Sequence, residues 1–345
     1  MFIRRRSLLG PDPPTQQCLP TGQTGAEPDP KVDLDRTNCK IQRGLALFGL
    51  VLGQGRENYE VSKRIPPKPH VLRKPGVRAQ LSSPFMATNF SDHYGPWAVV
   101  TGAAMGVGLA FTQELHERGV GVVMVDRDES VEEVAAALPG ETRSLIVDVT
   151  DPGWTEALQV VVSDLEIGLA VANAGVSHVK NFLDMTPVER SLTMGVNAQA
   201  VVDLAAWSLP AMVERGRGGF VVTSSGSALA GTAGVGLYSA TKAFTVNLVE
   251  AIGWEIRDSG VQTQAVIAPS METPAFRDNG ADYSRMMAPP ADPRTVVSGA
   301  LDALPEGGRW LGDASLEFVT TVPRAERVDM MSQATKAMYP QIFGE

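Results

Sequence analysis

From Trp97 onward the chain alternates short apolar runs with longer stretches in which apolar residues return every three or four positions. The runs are WAVV (97–100), GVVMV (121–125), RSLIV (143–147), LAVAN (169–173), GFVVTS (219–224) and VQTQAVI (261–267). Short valine-rich runs of this kind predict strands buried on both faces. The amphipathic stretches predict helices beginning near Gly106, Glu129, Pro152, Pro187 and Tyr238. Strands and helices in alternation indicate an α/β doubly wound fold, a parallel sheet with helices on both sides. Such sheets take their ligands at the carboxyl ends of the strands, where the strand order reverses. No internal repeat is present.

The pattern upstream is different. Residues 1–85 show no sustained apolar period, hold 11 of the 24 prolines, and carry 14 Lys/Arg against 7 Asp/Glu, whereas residues 86–345 carry 16 against 32. A basic, proline-rich segment of this kind buries too little surface to offset its ordering entropy, so residues 1–85 are expected to be a disordered leader or a mis-assigned start. Met86 then opens a single domain, 86–345. RRRSLLG (4–10) begins like a twin-arginine export signal but continues as PDPPTQQ, without the apolar stretch such a signal needs. GLALFGLVLG (44–53) is about half the length that spans a bilayer. An organelle transit peptide stays open, although acidic residues and prolines oppose it. A cytoplasmic location is expected, and the acidic body disfavours nucleic acid and membranes as partners. Both cysteines, Cys18 and Cys39, lie in the leader, and His93, His116 and His178 lack ligand spacing, so no metal is expected.

The strand-end rule points to TGAAMGVG (101–108), after the first run. Gly102, Gly106 and Gly108 permit a tight turn, and the following helix start aims amides at whatever anion approaches. A plain tight turn would use the same residues. Asp126 closes the second run about 20 residues on, where an acid can hold ribose hydroxyls. Farther along, Tyr238 and Lys242 stand four apart, neighbours on a helix surface and, taken alone, no more than a polar pair.

Several motifs in order change that picture. TGAAMGVG, DVTD (148–151), ANAG (172–175), Asn197 in GVNAQA, Ser225 in TSSGSALAG, and YSATK (238–242) together resemble the short-chain dehydrogenase/reductase family over Trp97–Gly312. The resemblance implies a single doubly wound Rossmann-type domain with a mostly parallel seven-stranded sheet. It implies transfer of hydride between NAD(P) and an alcohol or ketone, and a homodimer or homotetramer. Its catalytic set is Asn197, Ser225, Tyr238 and Lys242. Lys242 would lower the Tyr238 phenol toward working pH, making it a general acid/base, and would hold the nicotinamide ribose. Ser225 would bind the substrate oxygen, and Asn197 a water leading from Lys242 to solvent. Expected dinucleotide contacts are Gly102, Met105, Gly106, Val107, Gly108, Asp126, Arg127, Asp148, Val149, Asn173, Ala174, Gly175, Tyr238, Lys242, Pro269, Met271 and Thr273.

Asp126 favours NAD over NADP, because its carboxylate would repel a 2′-phosphate. Arg127 is the dissenting residue; it either turns inward to pair with that phosphate or lies solvated beside Asp128 and Glu129. In APSMETPAF (268–276), Ser270 replaces a glycine of the family pattern, which puts the loop path in question. Pro274–Pro293 is expected to form a lid, with Met286 and Met287 either lining the pocket or merely packing. His178 either faces that pocket or stands in solvent. Val176, Met194, Leu229, Ala230, Val235 and Met271 make the expected pocket apolar, which suits a secondary alcohol or ketone on a hydrophobic skeleton. A dinucleotide-binding partner protein without turnover is the competing possibility.

Overall fold

In the computed structural model the valine-rich runs are strands and point alternate side chains into two different cores. The structure describes residues 89–286 and 288–344; the leader and Met287 lie outside them. A short helix α1 (Phe90–Tyr94) precedes β1 (Trp97–Thr101), and α2 (Gly106–Glu117), β2 (Gly121–Asp126), α3 (Ser130–Ala137), β3 (Thr142–Ile146), α4 (Trp154–Val161) and β4 (Ile167–Ala172) follow. The second half runs α5 (Pro187–Met194), a π turn (Gly195–Gln199), α6 (Ala200–Arg215), β5 (Gly218–Ser225), α7 (Gly236–Glu255) and β6 (Val261–Ala268). It ends with α8 (Pro274–Asp278), α9 (Pro293–Asp302), β7 (Gly308–Leu311), α10 (Ala314–Thr321) and α11 (Arg324–Met338).

All seven strands pair in parallel in the order β3-β2-β1-β4-β5-β6-β7, so the order reverses between β1 and β4. Val99, Val123 and Phe220 face one core with Leu158, Leu204, Met212 and Val249 of α4, α6 and α7. Ala98, Val100, Val122 and Met124 face the other, with Phe111 and Leu115 of α2 and Val297 and Leu301 of α9. The expected doubly wound sheet is therefore present. No helix among the described residues is long and apolar enough to cross a membrane.

Three details depart from the hydrophobic pattern. The seventh strand, GRWL, is four residues long and partly exposed, so it carries no apolar run to announce it. Helix α4 starts at Trp154 rather than near Pro152 because Gly153, at φ 83°, is left-handed. Helix α7 starts two residues before Tyr238, which sets that tyrosine in its first turn.

Helices α2 and α9 are clamped together by charge. Glu114, almost fully buried, accepts from Arg118 Nη1 at 2.6 Å and from Arg294 Nη2 at 2.7 Å, while Arg118 also reaches Asp302 at 2.7 Å. Burial alone would raise the Glu114 pKa, but hydrogen bonds from Arg118, Arg294 and Ser298 outweigh it, and the carboxyl sits below its ordinary 4.5. A depressed acid stabilises the fold above its unfolded-state pKa and loses that contribution as pH falls through the folded-state value. Glu114→Gln is expected to cost about 2 kcal/mol at pH 7, read as a lower urea midpoint, because it removes the buried anion shared by two guanidinium groups that keep only their exposed partners Asp302 and Glu117. The deficit should shrink below pH 4.5, where the native protein loses the same contribution.

Candidate active site

The carboxyl ends of β1, β4 and β5 meet around one side chain. Asn173 Nδ2 donates to the carbonyls of Thr101 (3.1 Å) and Gly102 (3.2 Å), and its Oδ1 accepts from Thr223 Oγ1 (3.1 Å). Thr101 Oγ1 accepts the backbone N–H of both Asn173 and Ala174 at 3.1 Å. The Asn173 side chain is spent on joining the strand ends, which leaves its backbone for the dinucleotide contact expected of this residue.

The glycine turn fits against this knot. Gly102 has φ 65°, and a Cβ on it would lie 2.9 Å from Ala174 Cα; a Cβ on Gly108 would lie 2.0 Å from the Gly102 carbonyl oxygen. Only residues without side chains allow α2 to start so close to β1, and the first amides of α2 have no partner within the helix. Met105 is part-exposed beside the turn, whereas Val107 packs into the second core. Asp126, at the end of β2, accepts Ala104 N–H at 2.9 Å and Asp128 N–H at 3.1 Å, which fixes its carboxylate beside the turn. Of its two expected roles Arg127 takes the solvated one: its side chain is 59% exposed, near Asp128, and reaches Asp148 only at 3.6 Å. Asp148 is held by Thr150 N–H (2.9 Å) and Oγ1 (2.7 Å); burial opposes its charge, but these bonds and Arg127 leave its pKa below the ordinary value. The Val149 side chain goes into the first core, so only its backbone is left for a ligand.

Across the crevice, β5 and α7 bring together Ser225, Tyr238 and Lys242. Lys242 is buried and donates from Nζ to the Thr223 carbonyl at 2.7 Å; Nζ also lies 5.6 Å from the centre of the Tyr238 ring. A Cβ on Gly175 would stand 3.4 Å from that Nζ and 3.6 Å from Asn197 Oδ1, so the glycine leaves the ammonium open toward the crevice. Burial pulls the Lys242 pKa down to about 8. The expected lowering of Tyr238 is not seen: burial raises the phenol, and the hydrogen bond with Ser225 offsets only part of the rise. Ser225 Oγ also accepts from Ser227 N–H (3.2 Å) and Oγ (3.1 Å). Asn197, in the π turn, pairs with both backbone groups of Val176, at 2.8 and 2.9 Å, and donates to Thr241 Oγ1 at 3.2 Å.

The remaining expected residues divide. Met271 pairs with Ala291 in an isolated bridge that closes the base of the 274–290 segment, and Ser270 accepts Ala291 N–H at 2.8 Å. No described residue other than glycine has positive φ, so serine sits at 270 without backbone strain. Thr273 caps α8 through Phe276 N–H (3.1 Å) while its methyl faces Gly106, and Pro269 lies against Gly312. Of the apolar pocket set, Leu229 belongs to the first core, Met194 is about half exposed, Ala230 is buried, and Val176 packs on the core. Val235 precedes α7, and Met286 follows the turn that carries Tyr283. His178 Nδ1 bonds Thr193 Oγ1 at 3.1 Å rather than standing in solvent. Thr101 and Thr223 were missed as site residues, although Thr101 opens the glycine motif. Among the described residues no cluster of three or more His, Cys, Asp or Glu is placed to hold a metal.

A family model described as short chain dehydrogenase matches residues 96–284. The chain belongs to that family. This short-chain dehydrogenase is 30% identical over 237 residues to the very-long-chain 3-oxoacyl-CoA reductase of Bos taurus, across 66% of this chain and 74% of that protein. It spans 58% of the same-named proteins of Macaca fascicularis and Homo sapiens. It is 28% identical over 218 residues to the inactive hydroxysteroid dehydrogenase-like protein 1 of Homo sapiens, across 60% of this chain and 63% of that one. Among solved structures, a protein from Beutenbergia cavernae described as a putative NAD(P) dependent gluconate 5-dehydrogenase, with NADP bound at low occupancy, shares the fold, with TM-score 0.60 and 24% identity over 67% of this chain and 100% of that one.

Two features of the crevice fit a dinucleotide. Gly102 and Gly108 leave the turn bare where a pyrophosphate would lie, and Lys242, buried, uses one of its three donors on Thr223 and keeps two for ligand oxygens. Gly108→Ala is expected to weaken NADH binding by about tenfold or more, because its Cβ would push α2 off the β1 turn. Fluorescence titration measures this, and unchanged affinity would show that the turn is not the phosphate cradle.

Proposed function

We propose that the chain interconverts a secondary alcohol and a ketone on an apolar skeleton, with Tyr238 as general acid/base. The convergence of Ser225, Tyr238 and Lys242 on one side of the crevice, with the bare glycine turn opposite, carries this reading. A bound nicotinamide dinucleotide supplies the hydride donor or acceptor. Residues Gly102, Met105, Gly106, Gly108, Asp126, Ala174, Gly175, Lys242 and the backbone of Val149 would hold it. Tyr238, raised by burial, is a neutral phenol across neutral pH and thus a proton donor to a ketone oxygen. Ser225, hydrogen-bonded to that phenol, meets the same oxygen and stabilises charge developing there. Asn197 fixes the chain at Val176 beside Gly175, and so holds open the side from which Lys242 acts.

NAD is the proposed nucleotide. The Asp126 carboxylate is fixed by two backbone amides and keeps lone pairs for ribose hydroxyls, whereas a 2′-phosphate would meet its charge. Arg127, mostly exposed, reaches toward Asp148 at 3.6 Å rather than pairing with Asp126. The name of the Bos taurus relative supports a ketone on a long acyl chain as substrate. The human relative named as inactive favours the alternative, a nucleotide-binding protein without turnover. The complete Asn197, Ser225, Tyr238 and Lys242 set weighs against it.

Tyr238→Phe removes one hydroxyl, so NADH affinity should hold while kcat falls about a hundredfold or more; near-normal turnover would sink the proposal. Alcohol oxidation, which needs the phenolate, should rise with pH above neutrality, and Lys242→Met should move that rise to still higher pH by removing a nearby cation. Asp126→Ala should narrow the preference for NAD over NADP, measured as the ratio of kcat/KM values. An unchanged ratio would mean that the carboxylate does not face the ribose.

A further inference from the structure

The chain turns sharply after β5, and the turn brings a second serine onto Ser225. Ser225 ends the strand in an extended conformation, φ −149°, and caps a 3₁₀ turn over Gly226–Leu229. Three contacts fix that turn. A Cβ on Gly226 would lie 2.6 Å from Leu316 Cδ2 of α10, Arg327 Nη1 donates to the Leu229 carbonyl at 3.0 Å, and Ser224 Oγ donates to the Lys242 carbonyl of α7 at 2.9 Å. Ser225 Oγ then accepts twice from one residue, from Ser227 N–H at 3.2 Å and from Ser227 Oγ at 3.1 Å.

A serine hydroxyl has one proton and two lone pairs. Both lone pairs of Ser225 are occupied from the side of the turn, so the group is left with its proton alone to offer the crevice. That proton goes to the Tyr238 oxygen, which is why the bond between them counters the rise of the phenol. Ser225 has no second proton to give, so the bond between the two serines runs from Ser227 to Ser225. Hydrogen bonds aligned in one direction strengthen one another, and each bond that Ser225 accepts makes it a better donor. Without the Ser227 hydroxyl, one lone pair is freed, and Ser225 can turn to accept the Tyr238 proton instead. That orientation offers nothing to a substrate oxygen.

We propose that Ser227 is a positioning residue for ketone reduction, its hydroxyl filling the second lone pair of Ser225 and so holding the Ser225 proton on the substrate oxygen as charge develops there. This rests on the proposed alcohol/ketone activity. Tyr238 supplies the proton that the new alcohol gains; Ser225 and Ser227 keep theirs throughout.

The test uses the full chain as wild type, Ser227→Ala, Ser227→Thr, Ser225→Ala and the double variant Ser225→Ala/Ser227→Ala. With oxidised nucleotide bound, acetophenone isotopically labelled at its carbonyl carbon binds without being reduced, and its infrared carbonyl stretch reads the donors at the oxygen. The stretch should move to lower frequency in wild type, move less in Ser227→Ala, and recover in Ser227→Thr. With NADH and the same ketone, Ser227→Ala should lower kcat about tenfold and leave both KM values in place, a smaller loss than the hundredfold or more that follows removal of a donor to the oxygen itself. In the Ser225→Ala background, Ser227→Ala should cost nothing further in either readout. A loss of equal size with and without the Ser225 hydroxyl would make Ser227 a turn-forming residue only and overturn the proposal. So would a wild-type stretch in Ser227→Ala, while leaving the alcohol/ketone reading intact. A wild type that leaves the stretch at its free-solution frequency overturns that reading, and the role of Ser227 with it.

Discussion

The amide of Asn173 holds together three strand ends, and every other part of the site is mounted on them. Where β1 and β4 part, their following loops leave in opposite directions and the last carbonyls lose their ladder partners. Thr101 and Gly102 offer two such carbonyls, and the two Asn173 donors satisfy both while its oxygen takes the Thr223 hydroxyl. An asparagine has the donors and the acceptor that this junction needs. Because the junction is so tight, Gly102 and Gly108 can carry no side chain, and the start of α2 is left bare. Thr223 then extends the same knot to the opposite wall, since its carbonyl anchors Lys242.

On that wall, desolvation acts on two groups with opposite results. It disfavours the ammonium of Lys242 and the phenolate of Tyr238 alike, so the lysine falls to about 8 and the tyrosine rises. Burial therefore favours the neutral phenol, the form that donates a proton. The cation at 5.6 Å from the ring is held in place by one backbone carbonyl rather than by a carboxylate, which keeps its charge available to the crevice.

Much of this was legible in the amino-acid order, for reasons that differ by element. Doubly buried strands are rich in apolar residues, so β1, β2, β4, β5 and the AVI end of β6 announced themselves; β7, at the sheet edge with Gly308 and Arg309, had no such run. The glycine turn and the Tyr238/Lys242 pair were visible because their chemistry depends on fixed local spacing. What depends on distant contacts was not visible. The Asn173 side chain turns inward because Thr101 and Thr223 come to it from 72 and 50 residues away. Leu229 was drawn into the core, Met194 was left half exposed, and Arg127 found Asp148, none of which a local pattern encodes.

Direct detection of hydride transfer tests the central claim. The full chain, supplied in turn with NADH and NADPH carrying deuterium at the reactive carbon, is incubated with a panel of simple ketones and 3-oxo thioesters, and the products are analysed by mass spectrometry. A product alcohol bearing one deuterium on its carbinol carbon, formed by the wild type and absent with Tyr238→Phe, is the predicted result. Tight nucleotide binding with no deuterium in any product would contradict it.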